Sequence, residues 1–363
     1  MTNRPVIVVE NDPFPRLLQA FLDPAPMPER DAAIAEFVAH DLPDFAGWLA
    51  RVRRGASGVY PAEVRLASSQ EELQAKLPGA TGVVTESLVV GPDELAIADR
   101  LKVVQKYGTV LRNIDSAACA ARGITVLTLR RRANIACAEY AFALMLSLVK
   151  KLNRNAGLIS TAQLTAAGYQ PKSFDRRYVS SSNWARIGGM RMLNGMTLGI
   201  IGLGEIGREL AVRAGAFGMH TTYYQRTRLS EAEERKWNAG YRPLEQLLGE
   251  SDCVCLLLPG NADTRNFLDR VRLGQMKRGA FLVNVARAEL VERVALHDAL
   301  ASGHLGGLGL DTFYEEPGRA DDPLLKFDNA IITPRIAAQP RFNALGDLEE
   351  LIAGLSRTLG GKP

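Results

Sequence analysis

The sequence predicts an α/β fold made of two doubly wound parallel-sheet domains, and three observations support that prediction. The chain has 363 residues, which suits two domains because single domains commonly hold about 150 residues. Short apolar segments typical of buried strands alternate with helical patterns, first before residue 130 and again after residue 190. The strand segments are mostly apolar rather than alternating, as expected when helices cover both faces of a sheet.

The first alternation lies in the amino-terminal part of the chain. Its strands are predicted at Val6–Val9, Val83–Val84, Lys102–Gln105 and Ile124–Leu127. Residues 14–56 have a helical pattern broken by prolines, and Pro92–Ala98 suits a helix that connects two strands. The apolar segment Ala136–Leu152 contains no glycine or proline and carries lysines near its end, which favour a helix carboxyl terminus.

A polar and irregular stretch, residues 153–190, follows and is interpreted as an extended arm or linker. A second alternation begins after it. Its strands are predicted at Thr197–Gly202, His220–Tyr224, Cys253–Leu258, Phe281–Val285, Leu308–Asp311 and Ala330–Thr333. Its helices are predicted at Glu205–Phe217, Leu244–Leu248 and Glu292–Ser302, and the final segment Phe342–Leu359 suits a separate amphipathic helix.

Composition argues against several protein classes. Lys and Arg total 44 and Asp and Glu total 40, a net charge of +4, without the basic stripe expected of a nucleic-acid-binding surface. No apolar run approaches the ~18 residues of a membrane span. The four cysteines show no CxxC spacing, so we expect buried free thiols rather than a metal or redox site. These features predict a cytoplasmic protein with no metal, membrane or nucleic-acid partner.

A glycine-rich turn carries the clearest chemical signal. The run Gly202-Leu203-Gly204-Glu205-Ile206-Gly207 directly follows an apolar strand segment and opens an amphipathic helix. In this context the first glycine permits a tight turn, the second lets backbone approach a pyrophosphate, and the third allows close helix–strand packing. The helix N-terminus then offers N–H donors to the phosphates. We predict a dinucleotide site that includes Glu205 and Ile206; the alternative is a glycine turn that packs a helix without a ligand.

The end of the next predicted strand should contact the adenosine ribose, about 20 residues further on. Gln225, Arg226 and Arg228 stand there, and no carboxylate does. A carboxylate would repel a 2′-phosphate, whereas arginines favour one. The pattern therefore favours NADP(H) over NAD(H), although solvated surface arginines would produce the same pattern and NADH stays open.

Five stretches, taken together and in order, resemble the D-isomer-specific 2-hydroxyacid dehydrogenase family. They are Asn113-Ile114-Asp115, Gly202–Gly207, Val283-Asn284-Val285-Ala286-Arg287, Gly309–Pro317 and Thr333-Pro334-Arg335-Ile336-Ala337. The resemblance implies two Rossmann-like domains, with a dinucleotide domain (134–336) inserted into a substrate domain (1–133 and 337–363). It also implies a homodimer in which residues 153–190 form the dimerisation arm.

The resemblance further implies an NAD(P)-dependent oxidoreductase that transfers a hydride between the nicotinamide and C2 of a 2-hydroxy or 2-oxo acid. By position, Arg287 matches the arginine that holds the substrate carboxylate, and Asp311 matches the acceptor for the nicotinamide carboxamide. Glu316 matches the carboxylate that partners the catalytic histidine. A structural ion pair for Arg287 and a capped loop carboxylate for Glu316 are the alternatives. Further cofactor contacts are implied for Pro259, Thr264, Val285 and Ala286.

The chain departs from the family at the acid–base residue, because Arg335 occupies the histidine position after Thr-Pro. None of the four histidines, His40, His220, His297 and His304, is a plausible substitute by sequence. Arginine, with an ordinary pKa above ~12, is a poor proton donor. Arg335 could still pair with Glu316 and stabilise an alkoxide electrostatically.

A second departure lies in the substrate loop, where the family has Gly-Val-Gly-x-Asp and this chain has Gly108-Thr109-Val110-Leu111-Arg112. Val110 lacks the backbone freedom of glycine, so we expect an altered pocket around Thr109 and Val110. Lys106 and Tyr107, just before the loop, are candidate replacement proton donors, although a surface or core role would also account for them. Extra cations at Arg112, Arg131 and Arg335 would suit a more anionic or bulkier substrate.

Three functions are therefore considered. The first is an NAD(P)-dependent oxidoreductase of a 2-hydroxy or 2-oxo acid, or a related anion, with altered acid–base machinery. The second is a dinucleotide-binding pseudoenzyme or regulatory protein. The third is an enzyme that uses bound NAD transiently for a redox-neutral elimination or cleavage. Arg287, Asp311 and Glu316 favour a working site, whereas Arg335 favours the second and third functions relative to an ordinary family member.

Overall fold

A computed structural model describes residues 4–361. The chain divides into two compact units: unit 1 comprises residues up to Ala136 together with those from Ala338, and unit 2 comprises Cys137–Ala337. Each unit contains one parallel sheet flanked by helices, which confirms the predicted fold class. Unit 2 is continuous and lies, in sequence, between the two segments of unit 1.

Unit 1 has a five-stranded sheet with strand order β2-β1-β3-β4-β5. The strands are β1 (Val6–Glu10), β2 (Glu63–Ala67), β3 (Gly82–Thr85), β4 (Val103–Lys106) and β5 (Thr125–Leu127). The helices are α1 (Leu17–Leu22), α2 (Pro28–Val38), α3 (Phe45–Gly55), α4 (Gln70–Lys76), α5 (Pro92–Ile97), α6 (Ser116–Ala121) and the carboxyl-terminal α15 (Phe342–Leu359). Ile7 and Val9 of β1 point into one apolar cluster and Val8 points into another, because successive side chains face opposite sides of a strand.

Unit 2 has a seven-stranded sheet with strand order β12-β11-β10-β9-β6-β7-β8. The strands are β6 (Thr197–Ile201), β7 (His220–Tyr224), β8 (Ala239–Tyr241), β9 (Cys253–Leu256), β10 (Ala280–Asn284), β11 (Leu305–Leu310) and β12 (Ala330–Ile332). The helices are α8 (Leu152–Asn155), α9 (Thr161–Ala166), α10 (Glu205–Ala216), α11 (Glu231–Trp237), α12 (Leu244–Glu250), α13 (Arg270–Gln275) and α14 (Arg293–Ala301). Cys253 and Cys255 face one apolar cluster, whereas Val254 and Leu256 face the other.

Helix α7 (Arg132–Lys150) begins in unit 1 and continues into unit 2. Contrary to the expectation from sequence, it is long and apolar enough by composition to cross a membrane, and half of its most apolar window is buried. Leu144, Met145 and Leu148 pack into a core cluster of unit 2. A buried core helix has the same length and composition as a membrane span, so these two properties alone do not distinguish them.

Several elements were not predicted. The strand β2 lies at the edge of its sheet and exposes Glu63, so its apolar signal is weak. The strand β8 is only three residues long and also lies at an edge. Short helices α4, α6, α11 and α13 were likewise missed. The arm at residues 153–190 holds most of α8 and all of α9, and it exposes Ile159 and Tyr178 almost completely, at 81% and 80%.

Candidate active site

The predicted site residues of unit 2 lie along one edge of its sheet. All seven strands are parallel, so their carboxyl ends meet at the same edge. The segments that follow these ends are Gly202–Gly207 after β6, Gln225–Arg228 after β7, Pro259 and Thr264 after β9, Val285–Arg287 after β10, Asp311 and Glu316 after β11, and Arg335 after β12. The strand order reverses between β6 and β9, the position where ligands bind in open parallel sheets.

The glycine-rich turn has the geometry of a phosphate cradle. Gly202 has a φ of +100°, and a Cβ there would lie 2.9 Å from the Leu257 carbonyl oxygen. A Cβ on Gly207 would lie 2.6 Å from the Gly202 carbonyl oxygen, so only glycine permits this packing. At Gly204, by contrast, a Cβ would meet nothing within 4 Å. The backbone therefore stands open immediately before the 12-residue helix α10, and these residues fit the pyrophosphate of a dinucleotide.

The end of β7 presents one exposed arginine and one paired arginine. Arg228 donates to both carboxylate oxygens of Glu234 at 2.8 and 2.9 Å, and these hydrogen bonds lower the pKa of Glu234. Gln225 donates to the Thr227 carbonyl at 2.6 Å. Arg226 is exposed. Because Glu234 balances Arg228, Arg226 is the better available cation at this edge.

Arg287 is carried by a loop that a buried amide holds in place. Asn284 is fully buried; its Nδ2 donates to the Arg287 carbonyl at 2.7 Å, and its Oδ1 accepts from the Ala286 N–H at 3.0 Å. The Arg287 guanidinium is exposed and donates to the Ala286 carbonyl at 2.8 Å. Within residues 4–361 it forms no ion pair, so most of its donors remain available for a ligand.

Asp311 fixes the segment that carries Arg335. Its side chain is only 2% exposed. Oδ1 accepts from the Thr333 hydroxyl at 2.6 Å and from the Ile336 N–H at 3.0 Å, while Oδ2 accepts from the Ala337 N–H at 2.7 Å. A carboxylate has about four acceptor sites. One therefore remains for the implied contact with a nicotinamide carboxamide, which stays a prediction.

Arg335 and Glu316 form an ion pair at the ends of neighbouring strands β12 and β11. Arg335 Nη1 lies 2.6 Å from Glu316 Oε2, and the two side chains are 50% and 47% exposed. The backbone of Arg335 is in the left-handed region at φ 55°, which is costly for a residue with a side chain. The pair places a fixed positive charge and a carboxylate together at this edge.

The three histidines of unit 2 lie outside the segments that directly follow its strands. His220 starts β7 and His304 immediately precedes β11, so both lie at the amino ends of the strands. His297 on α14 packs edge-on against Phe327, with ring centroids 5.2 Å apart. His40 of unit 1 lies 3.3 Å from Asp41. Among the described residues, no histidine lies in the site segments that directly follow the unit 2 strands.

The substrate-loop candidates lie at the carboxyl edge of the unit 1 sheet. Lys106 is 6% exposed, and its Nζ donates to the Glu86 carbonyl and, at 2.9 Å, to Asn113 Oδ1. Tyr107 is 1% exposed, and burial raises the pKa of its hydroxyl. Thr109 is exposed and Val110 is half-buried. The proposed substrate roles of these four residues stay predictions.

Sequence reasoning named Arg131 but missed the three acidic residues that lie with it at the carboxyl edge of the unit 1 sheet, which are Glu10, Asp12 and Glu86. Arg131 Nη1 lies 2.7 Å from Glu86 Oε1, and its guanidinium carbon lies 4.3 Å from the centre of the Tyr107 ring. Burial and then the charge of Glu10 raise the pKa of Asp12, and burial raises the pKa of Glu86 against the opposing charge of Arg131. The only available signal was position, since Glu10 ends β1 while Asp12 and Glu86 closely follow β1 and β3.

The part of the chain that the structure describes contains no cluster of three or more His, Cys, Asp or Glu side chains suited to a metal ion. All four cysteines are free thiols. Burial raises the pKa of the Cys253 thiol to about 12. Such a thiol stays protonated at neutral pH and is unreactive.

Comparisons with known proteins agree with this geometry. Residues 161–337 match the family model of the D-isomer specific 2-hydroxyacid dehydrogenase, NAD binding domain. The chain is 37% identical to a glyoxylate reductase of Pyrococcus horikoshii over 70% of this chain and 72% of the relative. It is 35% identical to a glyoxylate reductase of Pyrococcus furiosus over 78% of this chain and 80% of that one. A crystal structure of a Thermus thermophilus protein is 28% identical, with a TM-score of 0.51 over 98% and 97% of the two chains.

Proposed function

The chain belongs to the D-isomer specific 2-hydroxyacid dehydrogenase family of NAD(P)-dependent oxidoreductases, and on that premise we propose that it interconverts a 2-oxo acid and its 2-hydroxy acid with Arg335 in place of the acid–base histidine. The observation that carries this proposal is the edge of the unit 2 sheet. There, neighbouring strand ends carry Arg287 with an available guanidinium and the Arg335–Glu316 pair. In a site that had lost its activity, nothing would select for the position of Arg287 and the Arg335–Glu316 pair.

The residues present divide the chemistry between binding and charge stabilisation. Bound nicotinamide would supply or accept the hydride at C2 of the substrate. Arg287 would hold the substrate carboxylate, because a planar guanidinium matches a carboxylate with two parallel hydrogen bonds. Arg335 would stabilise the negative charge that develops on the C2 oxygen, and Glu316 would orient the guanidinium. Arginine does not readily give up a proton, so the proton must come from another group.

The cofactor is proposed to be NADP(H) rather than NAD(H). Residues 225–228 contain no carboxylate that would repel a 2′-phosphate, and Arg226 presents an exposed guanidinium. Arg228 contributes less to this preference because Glu234 already neutralises it.

The assembly is proposed to be a homodimer formed through the arm. The arm exposes the large apolar side chains of Ile159 and Tyr178, at 81% and 80%, and Met192, two residues after the arm, is 67% exposed. Several large apolar side chains exposed in one segment are a feature of interaction surfaces. The four free thiols are consistent with a cytoplasmic location.

The proposal is tested by measuring NADPH and NADH oxidation with a panel of 2-oxo acids that starts from glyoxylate, the substrate named for the Pyrococcus relatives. We expect turnover with at least one 2-oxo acid and a lower Kd for NADPH than for NADH. Intact cofactor binding with no oxidation of either cofactor across the panel would contradict the proposal. It would instead favour a dinucleotide-binding regulatory protein or a redox-neutral reaction.

A further inference from the structure

Unit 2 has a cavity of about 450 Å³ at the amino ends of β10, β11 and β12, opposite the edge that carries the candidate active site. Ligand pockets usually enclose about 300–1,000 Å³, so the cavity is large enough for a small metabolite. We propose that it binds a small phosphate ester that also carries hydroxyl groups. The inference goes beyond the proposed function and does not depend on it.

The cavity is remote from the candidate active site. Phe281 and Gly306, each the second residue of its strand, line the cavity, and Asn329 lines it just before β12. Gly306 and Asp311 are five residues apart along β11 and its carboxyl end. A strand rises about 3.3 Å per residue, so about 16 Å separates the two sites.

Two cations of the cavity have donors that the protein leaves uncommitted. Lys151 Nζ donates to the Gly188 carbonyl at 2.7 Å and forms no ion pair in the part of the chain that the structure describes. Arg191 donates from Nη2 to Asp252 at 3.0 Å and from Nη1 to the Gly279 carbonyl at 3.4 Å. An ammonium has three donors and a guanidinium has five. Both side chains can therefore donate further hydrogen bonds to an anion.

The backbone brings these two cations to the same wall of the cavity. The Arg191 N–H donates to the Val149 carbonyl at 3.1 Å, which holds the segment of Arg191 against the end of α7. Lys151 Nζ lies close to Gly189 in that segment, since a Cβ on Gly189 would lie 2.8 Å from it. The ammonium of Lys151 therefore lies beside the segment that carries Arg191.

The groups at this wall have a surplus of positive charge. Asp252 pairs with both Arg191 and Lys277, at 3.0 and 2.8 Å, so one carboxylate serves two cations. Lys151 adds a third cation, and three cations against one carboxylate leave a net charge of +2. This charge matches a phosphate ester, which is a dianion above pH ~6. An exposed ion pair at the rim adds no net charge, because Arg154 lies 3.3 Å from Asp328.

The backbone of Lys151 supports a role for its side chain. Lys151 directly follows α7 and has a φ of 54°, in the left-handed region. Glycine is the common residue at such a helix end, because a Cβ makes this conformation costly. A cation near the end of a helix favours the helix dipole, but Lys150 already stands in the last turn of α7. The dipole therefore does not require the charge of Lys151.

Amide oxygens and apolar surface complete the site. Asn153 and Asn329 line the cavity, and each donates from Nδ2 to a backbone carbonyl at 3.2 Å. Their Oδ1 atoms accept no hydrogen bond from residues 4–361, so they can accept one from a ligand hydroxyl. Leu148 and Phe281 are buried and offer apolar contact to the carbon atoms of the ligand. Phosphate on the cations and hydroxyls on the amides define the ligand class.

The test is a calorimetric titration of the full chain with glycerol 3-phosphate, with and without saturating NADPH. We expect a Kd below about 1 mM that NADPH does not change. Inorganic phosphate should bind at least about fivefold more weakly, because it leaves the two amide oxygens without a donor at the far end of the cavity. Binding of the ester should tighten from pH 5.5 to pH 7.5, as it loses its second proton.

The main variant is Lys151→Gly, which removes the cation and keeps a residue suited to the left-handed turn. It should raise the Kd of glycerol 3-phosphate at least about tenfold and should not lower the melting temperature of the free protein. Arg191→Gln should also raise that Kd about tenfold. Lys150→Gln is the matched control, since Lys150 is the neighbouring lysine and does not line the cavity; it should leave the Kd unchanged.

Four outcomes would overturn the inference. They are no binding of glycerol 3-phosphate up to about 10 mM, unchanged binding by folded Lys151→Gly, succinate binding as tight as that of the ester, and competition by NADPH. Competition would place the ester in the cofactor site, and equal binding of succinate would show that the cavity does not select phosphate. None of these measurements requires turnover of a 2-oxo acid, so failure of the proposed function is detected separately by the 2-oxo acid panel.

Discussion

Replacing Arg335 by histidine should return a titrating acid to a site that lacks one. At low pH the introduced imidazolium keeps the positive charge near Glu316 and adds a proton donor, so 2-oxo acid reduction should become faster. At high pH the imidazole is neutral, so both the charge and the donor are lost. We therefore expect Arg335→His to make kcat depend on pH where the wild-type arginine does not.

The effect of Arg335→His on stability and on the imidazole pKa follows from the exposure of the Arg335–Glu316 pair. Its side chains are 50% and 47% exposed, and such pairs contribute about 0–1 kcal/mol. The folded protein should therefore tolerate Arg335→His, and the pKa of the imidazole should lie between about 6.5 and 7.2. Glu316 raises the pKa of the introduced imidazole. The ion pair between the imidazolium and Glu316 therefore stabilises the folded protein slightly below pH ~6.5, and this stabilisation disappears as the pH rises through the raised pKa. Because another group already supplies the proton in the wild type, we expect kcat at pH 5.5 to rise about tenfold rather than the full 10²–10⁴-fold of a sole general acid.

The assay is steady-state oxidation of NADPH with the best 2-oxo acid of the panel, measured from pH 5.5 to 9 for the wild type and Arg335→His. The matched control is Arg154→His, which alters another exposed ion pair of unit 2, at 3.3 Å from Asp328, and should leave kcat unchanged. If Arg335→His has the same kcat and pH profile as the wild type, or a lower kcat at every pH, Arg335 is adapted to a different substrate or reaction.

Three further predictions concern the dinucleotide unit. Asp311→Asn removes the charge from three hydrogen bonds, and each hydrogen bond to a charged group contributes about 1.5–3 kcal/mol. The free energy of unfolding measured in urea should therefore fall by about 3 kcal/mol. A loss below about 1 kcal/mol would contradict the role of Asp311 in fixing the Arg335 segment. Gly204→Ala places a Cβ in open space and should leave the melting temperature unchanged while raising the Kd of NADPH at least about tenfold. Gly207→Ala places a Cβ 2.6 Å from a carbonyl oxygen and should destabilise the fold by about 1–3 kcal/mol. If both glycine substitutions changed the stability and the Kd of NADPH equally, the result would argue against the phosphate cradle. Arg226→Ala should raise the Kd of NADPH about tenfold and leave the Kd of NADH unchanged. Arg228→Ala should raise the Kd of NADPH less, because Glu234 pairs with Arg228. A larger increase for Arg228→Ala than for Arg226→Ala would assign the 2′-phosphate contact to Arg228.

The central strands of both sheets were predictable because both of their faces are buried. Segments such as β6 and β10 are apolar along their length and stand out from the surrounding sequence. Edge strands are different, since one side of the strand lacks a partner and polar residues are tolerated. The exposed Glu63 in β2 and the three-residue length of β8 removed the signal there.

The site was predictable only where a motif covers consecutive residues. The glycine turn and the segment around Arg335 belong to such motifs. In the structure Arg335 Nη1 lies 2.6 Å from Glu316 Oε2. The hydrogen bonds of Asp311 to the segment after β12 depend on how the chain turns there, and the residue types do not specify that turn. Asp12 and Glu86 are far apart in the sequence, and only the topology of the sheet brings them together.

The most direct test is a crystal structure of the protein with NADP⁺ and oxamate, an unreactive analogue of a 2-oxo acid. We predict that the Arg287 guanidinium forms two hydrogen bonds with the oxamate carboxylate, while Arg335 stays on Glu316 and donates to the adjacent oxamate oxygen. Oxamate bound without contact to Arg287, or an Arg335 side chain that leaves Glu316 and points away from the ligand, would contradict the proposed chemistry.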